Sequence, residues 1–173
     1  MVEYLDVVND KDEVVGQVTQ EEVYAKKLSH RIVHVFVVHP RSGDVYLQRR
    51  AEQKSYLPGY YCTSAGGHVR AGERYEEAAV RELREELGLA TPVRRVHSFV
   101  FTADGHKRFI AVFVSRAAHG FNFADGEVAS GDFHSLEAAY VLVEKGEKIH
   151  PQLAVCFRWL YQHAPEVLHV RQT

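Results

Sequence analysis

Apolar and polar positions alternate along this chain in short blocks of two different periods. Residues 3–8 and 13–18 are apolar runs on either side of Asn9-Asp10-Lys11-Asp12, the pattern of a β-hairpin. Thr19, followed by Glu21 and Glu22, predicts a capped short helix to about Lys27. Ile32 to His39 is dense in Val and Phe and predicts a buried strand. Ser42-Gly43-Asp44 then turns the chain into a second strand, Val45 to Arg49. Residues 60–66 predict one more extended segment, delivered by the turn Leu57-Pro58-Gly59.

The period then changes. Glu73 to Leu87 is rich in Glu, Ala, Arg and Leu, all helix formers, and Gly88 supplies the stop. Val80, Leu83 and Leu87 recur at i, i+3, i+7 and mark its apolar face. Val96 to Thr102 and Arg108 to Ser115 predict an antiparallel pair around Asp104-Gly105. Ser135 to Lys145 and Gln152 to His163 predict two amphipathic helices, and Trp159 falls in the last of them as a core residue. These elements add up to a mixed α/β domain, residues 1–173, with helices packed on a twisted sheet.

Composition narrows the function. Apolar residues make up 46% of the 173, and the formal net charge is −2. A disordered chain is excluded, and no basic excess points to a nucleic-acid polymer as partner. No apolar run is long enough for a membrane span. The acidic start MVEYLDVVNDKDE has no signal core, and two cysteines, Cys62 and Cys156, make no disulfide framework. Both thiols read as inert, and the expected location is cytoplasmic.

The chemistry gathers on the Glu-rich helix. Glu82, Glu85 and Glu86 stand at i, i+3, i+4 and project from one face, where like charges repel unless a cation offsets them. Hard divalent cations want several carboxylate oxygens, and Mg²⁺ commonly shares its coordination with substrate phosphates. A salt-bridged, solvated helix face is the plain alternative. Ala78 and Ala79 lie near the carboxylates and leave room for a ligand; Arg81 and Arg84 point away. Ahead of the helix, Ala65-Gly66-Gly67-His68-Val69-Arg70-Ala71-Gly72 is a glycine-punctuated loop of the kind that exposes backbone groups to a ligand.

Gly67, five residues, Glu73, seven residues, then Arg81-Glu82-Leu83-Arg84-Glu85-Glu86-Leu87-Gly88-Leu89 match every fixed position of the Nudix box. The chain therefore resembles the Nudix hydrolase family. Leu47-Gln48-Arg49-Arg50, Leu57-Pro58-Gly59 and Ser64-Ala65-Gly66-Gly67 resemble its branch near isopentenyl diphosphate isomerases. The resemblance implies an α+β fold of the α/β/α sandwich type with a mixed twisted sheet. It also implies hydrolysis of a diphosphate linkage in a nucleoside diphosphate derivative or related small molecule, with Mg²⁺ or Mn²⁺. Carried over by position, Glu82, Glu85 and Glu86 are the metal ligands, with the Gly66 carbonyl as a further one. Gly67, Glu73 and Arg81 support the box, the last two through ion pairing. A homodimer is the family-level expectation.

Arg49 and Arg50 are the candidate substrate-binding residues, with Lys54 beside them, since guanidinium suits phosphate. Tyr60 and Tyr61 either stack on a base or pack. Phe123 to Asp132 reads as a mobile, acidic, glycine-flanked loop. Within it Glu127 is the candidate general base, or else an exposed acid opening the next strand. Two other activities are weighed: isomerisation and ligand binding without catalysis. His30 and His68 resemble the isomerase's metal-binding histidines, and read on their own they are hydrogen-bonding residues. The isomerase cysteine, however, would fall at Gly66, and its later acids near His106 and Arg108. A binding-only module tends to lose box glutamates, and all are present here. The stretch Asp104-Gly105-His106-Lys107 lacks a subfamily marker, so nucleotides, nucleotide sugars and isoprenoid-like diphosphates all stay open.

Overall fold

The computed structural model describes residues 1–168. Strands β1 (Tyr4–Val8) and β2 (Val14–Thr19) form the predicted hairpin, and Thr19 Oγ1 caps α1 (Gln20–Ala25) by accepting the Glu22 N–H at 3.2 Å. The main sheet contains β3 (His30–Val38), β4 (Val45–Arg50), β5 (Tyr61–Cys62), β6 (Ala65–His68), β7 (Val93–Ala103), β8 (His106–Arg116) and β9 (Val128–His134). Its order is β5-β4-β3-β8-β7, with β6 added to β3 and β9 to β4. Only β3 and β8 run parallel among these pairings, so the sheet is mixed.

Strand periodicity decides the layers. Successive side chains of β3 point to opposite faces. Val33, Val35 and Val37 meet α2 (Tyr75–Leu87), together with Ala111 and Phe113 of β8. Ile32, Phe36 and Val38 meet α4 (Pro151–Gln162) on the other face, where α3 (Leu136–Lys145) and α5 (Ala164–Leu168) also pack. The result is the α/β/α sandwich.

Several expectations need correction. The segment read as continuous over 60–66 is two strands with different partners. β5 pairs with β4 and β6 pairs with β3, and the corner between them, Thr63-Ser64, is held by its hydroxyls. Ser64 Oγ accepts the Val37 N–H at 2.7 Å and donates to the Tyr46 carbonyl, while Thr63 Oγ1 lies 2.7 Å from His34 Nδ1. Residues 128–132, read as loop, belong to β9, which pairs with β4 from Val45↔His134 to Arg50↔Val128. Gly131 is there for packing: a Cβ on it would lie 2.5 Å from Cζ of the Tyr46 ring. On α2, Val80 is only half-buried. The apolar face is Ala78, Ala79, Leu83 and Leu87, so the two alanines pack on the sheet and leave no space for a ligand. Trp159 is half-buried, stacked between His97 and His163 at the edge of the core. Both cysteines are buried and free.

Candidate active site

Three elements deliver the site. Helix α2 begins after Arg74, whose N–H donates to the Glu77 carboxylate at 2.9 Å, and ends at Gly88 with φ 68°. Glu76 and Glu77 in its first turn complement the helix dipole. The loop ahead of it is fastened to the N-terminal hairpin: Ala71 N–H donates to the Tyr4 carbonyl at 2.8 Å and Gly72 N–H to Asp6 Oδ2 at 3.0 Å. Strand β6 then lies over the carboxylates.

The helical spacing separates the three box acids by depth. Glu82 and Glu86 are buried under β6, whereas the Glu85 side chain is 43% exposed at the rim. Glu82 sits against Gly67, where a side chain would overlap its carboxylate. Glu86 Oε2 accepts from Gln48 Nε2 at 2.6 Å and from the Gly66 N–H at 3.3 Å. In an antiparallel ladder a residue's N–H and C=O leave on the same side. The Gly66 carbonyl therefore emerges on the edge facing Glu86, turned from β3.

Arg81 corrects the expectation that it points away. Its Nε and Nη2 hold both oxygens of Glu73, at 2.8 and 2.9 Å, and Nη2 also reaches the His68 carbonyl at 2.9 Å. Its Nη1 lies 2.6 Å from Glu82 Oε1 and 3.1 Å from Glu85 Oε2. One guanidinium thus ties the loop, the helix and two of the three acids together. Each acid keeps one oxygen unengaged: Glu82 Oε2, Glu85 Oε1 and Glu86 Oε1 take no hydrogen bond among the described residues.

The electrostatics follow from burial. Desolvation pushes the Glu86 carboxyl well above its usual range, and the Glu82 charge adds to that. Burial raises Glu82 too, against the pull of Arg81. The charge of Glu127 contributes to both shifts. The negative charge of Glu73, Glu82, Glu85 and Glu86 exceeds what Arg81 and Arg70, the latter 3.5 Å from Glu85 Oε2, supply, and the donors are carboxylate and carbonyl oxygens. That set fits a hard divalent cation. As they stand, no three of these acids are grouped closely enough to hold a metal ion among the described residues; Arg81 engages Glu82 Oε1 and Gln48 engages Glu86 Oε2.

The other predicted residues are dispersed. Arg49 Nε and Nη2 both point at the Gly59 carbonyl at 3.4 Å, and Arg50 Nε donates to the Tyr56 carbonyl at 3.1 Å. Neither has a carboxylate partner among the described residues. Glu127 is fastened, not loose. Its carboxylate pairs with Lys54 at 2.5 Å, its carbonyl accepts the Ala51 N–H at 2.9 Å, and the adjacent Gly126 carbonyl accepts Gln53 Nε2 at 2.7 Å. Loop 51–59 and loop 121–127 are thereby clasped.

His30 and His68 are not joined to the box acids. His30 shares a face of β3 with Ile32 and Phe36, opposite α2. It packs 4.9 Å from His106 and 5.5 Å from His68, ring to ring. His68 Nε2 meets the Tyr24 hydroxyl at 2.8 Å, and burial holds His30 down to about 3. Sequence reasoning passed over Gln48. A lone amide after Val45-Tyr46-Leu47 marks an unusual position in the strand, but not its partner, Glu86, 38 positions later.

The NUDIX domain family matches residues 28–160. The chain is 38% identical over 128 residues to the uncharacterised Nudix hydrolase YfcD of Salmonella typhi, covering 73% of this chain and 69% of that one. It is 32% identical over 163 residues to a Nudix hydrolase of Deinococcus radiodurans, covering 92% and 95% respectively. Among solved structures, DR0079 of D. radiodurans superposes with a TM-score of 0.81 at 32% identity, over 92% of this chain and 99% of that one. A MutT protein of Methanosarcina mazei, at 19% identity and a TM-score of 0.65 over 80% and 96% of the two chains, shares the fold.

Proposed function

The chain belongs to the Nudix family, and on that premise we propose that it cleaves the diphosphate linkage of a nucleoside diphosphate derivative with the help of Mg²⁺ or Mn²⁺. It is a hydrolase acting on pyrophosphate bonds, as the family is. The observation that supports the metal-dependent reading is the set of three oxygens, one each on Glu82, Glu85 and Glu86, that take no hydrogen bond among the described residues, backed by a charge that Arg81 and Arg70 do not balance.

In this reading those oxygens and the Gly66 carbonyl hold the cation. A bound divalent cation supplies neutralisation of the diphosphate oxygens. The rest falls to the chain's own residues. Arg81 and Glu73 fix the loop against the helix, so that the acids keep their spacing without reorganising. Arg49 and Arg50, with no carboxylate partner among the described residues, take up phosphate charge on the substrate side. Glu127 accepts the proton of the attacking water as the new P–O bond forms. The bridging P–O bond breaks, and its electron pair leaves with the departing phosphate. Lys54 holds one Glu127 oxygen and leaves the other for the water.

The isomerase reading has no nucleophile. Gly66 stands in the required place, and Cys62 is 6% exposed with its thiol pushed up to about 11 by burial. A binding-only module is separated by turnover. The family-level homodimer belongs to the same proposal and is checked by light scattering; so does a cytoplasmic location, checked by fractionation. Among the described residues no helix is long and apolar enough to cross a membrane. The deciding experiment measures phosphate or nucleotide release from a panel of nucleotides, nucleotide sugars and isoprenoid diphosphates, with Mg²⁺ and with excess chelator. Metal-dependent release from at least one of them is expected.

A further inference from the structure

Gln48 is the buried polar residue of β4. It is 3% exposed, and across the sheet it faces Cys62 of β5 and Gly131 of β9. Tyr46, two residues earlier on the same face, packs with the α2 cluster. The Gln48 side chain therefore runs from the sheet towards the box helix. Its amide nitrogen lies 2.6 Å from Glu86 Oε2 and 3.1 Å from the Ser64 carbonyl. Both neighbours are acceptors, so only the NH₂ end of the amide satisfies them, and its two protons are both used. The orientation of the amide is thus dictated by chemistry.

This geometry has a consequence for Glu86. A carboxylate on a helix has broad terminal torsional freedom. Here one of its oxygens is fixed from outside the helix, by a strand residue that is itself anchored to the Thr63-Ser64 corner. The same corner precedes Ala65 and Gly66, whose N–H meets the same oxygen at 3.3 Å. Gln48 and the Gly66 N–H therefore share Glu86 Oε2, and Oε1 is the oxygen without a hydrogen bond among the described residues. We propose that Gln48 is a positioning residue for cation binding at this site: it orients Glu86 so that Oε1 faces the cation, with no contact of its own to cation or substrate. This rests on the reading that Glu86 holds the metal. It extends that reading to a residue outside the box. Outer partners of this kind change metal affinity by roughly 10–100-fold when replaced.

The test is Mn²⁺ affinity, followed by the paramagnetic resonance signal of the free ion, with no substrate present. The proteins are wild type, Gln48→Met, Gln48→Asn, Glu86→Gln and the double variant Gln48→Met/Glu86→Gln. Met keeps length and loses the donor. Asn keeps the amide but is one methylene too short to span both acceptors, and it carries the test if the Met variant does not fold. Both single variants at position 48 are expected to weaken Mn²⁺ binding by at least about tenfold. In the Glu86→Gln background the Gln48→Met change is expected to add nothing, since coupled residues are non-additive. Wild-type Mn²⁺ affinity in a folded Gln48 variant overturns the proposal, as does an equal loss in both backgrounds. If Glu86→Gln itself binds Mn²⁺ as wild type does, the assignment of Glu86 to the metal fails first, and this one with it.

Discussion

A β-carbon placed on Gly67 would lie 2.6 Å from the carboxyl carbon of Glu82. The first fixed glycine of the box is therefore there for the first of the three acids: the bare backbone of β6 lets Glu82 sit beneath it. Gly67→Ala forces one of them to move. Overpacking of this kind costs about 1–3 kcal/mol, which lowers the melting temperature by roughly 2–12 °C for a chain of this size. Hydrolysis falls with it, because Glu82 is displaced from Glu86. A variant with wild-type melting and wild-type turnover would contradict the packing account.

Glu85→Gln and Glu86→Gln are each expected to lower turnover by about 100-fold or more, as loss of a principal electrostatic group does. Their effects on stability differ. Glu85 is at the rim and its change leaves the metal-free melting temperature nearly unaltered. Glu86 is buried with its carboxyl raised above the ordinary 4.5. A group raised in the folded state contributes stability below its unfolded value that is lost as pH rises through the folded one. Metal-free Glu86→Gln should therefore melt higher than wild type at pH 7–8, and the gap should close below about pH 4.5. Thermal melts across that range check the sign.

Buried histidines give the opposite slope. Burial holds His30 and His150 at about 3 and His34 at about 4, from an ordinary 6.5. Each is neutral in the folded protein, while the unfolded chain takes up the proton first. Their stabilisation is present above pH 6.5 and is lost as pH falls towards 4, at up to about 1.4 kcal/mol per pH unit for each group. His150 Nδ1 also caps α4 by accepting the Gln152 N–H at 3.2 Å. Asn at that position keeps a capping oxygen and removes the titration. His150→Asn should therefore show a shallower fall in melting temperature between pH 6.5 and 4 than wild type. An unchanged slope would contradict this.

The Glu82 and Glu86 carboxylates were legible because helical spacing fixes which residues share a face, whatever surrounds them. The α/β/α layers were legible through the Nudix resemblance; β3 is apolar on both faces, and only the packing shows that Val33, Val35 and Val37 face α2 while Ile32, Phe36 and Val38 face α4. What was not legible depends on partners distant in sequence. Gly131 reads as a loop residue until Tyr46 is seen filling the space above it. Arg81 reads as outward by helix geometry alone, yet its long side chain bends back to Glu73, Glu82 and Glu85. The corner at Thr63-Ser64 has no local signature, since its hydroxyls answer to His34, Val37 and Tyr46. Gln48 gains meaning only from Glu86, 38 positions later.

Glu127 is fastened by Lys54 and by the backbone bond to Ala51, so its place does not depend on loop closure. A general base contributes about 10²–10⁴-fold. Glu127→Gln should lower turnover at saturating substrate by that order while Mn²⁺ affinity stays near wild type. Undiminished turnover would return the role to a box acid, with Glu86 next.

The most direct test of the whole account is ³¹P NMR of a nucleoside diphosphate derivative incubated with the protein, first with Mg²⁺, then with excess chelator, then with Mg²⁺ restored. The account predicts loss of the diphosphate resonances and growth of phosphomonoester or free phosphate resonances in the first and third conditions, and none in the second. Hydrolysis proceeding at full rate in excess chelator would contradict the assignment of Glu82, Glu85 and Glu86 as the acids that hold a catalytic cation.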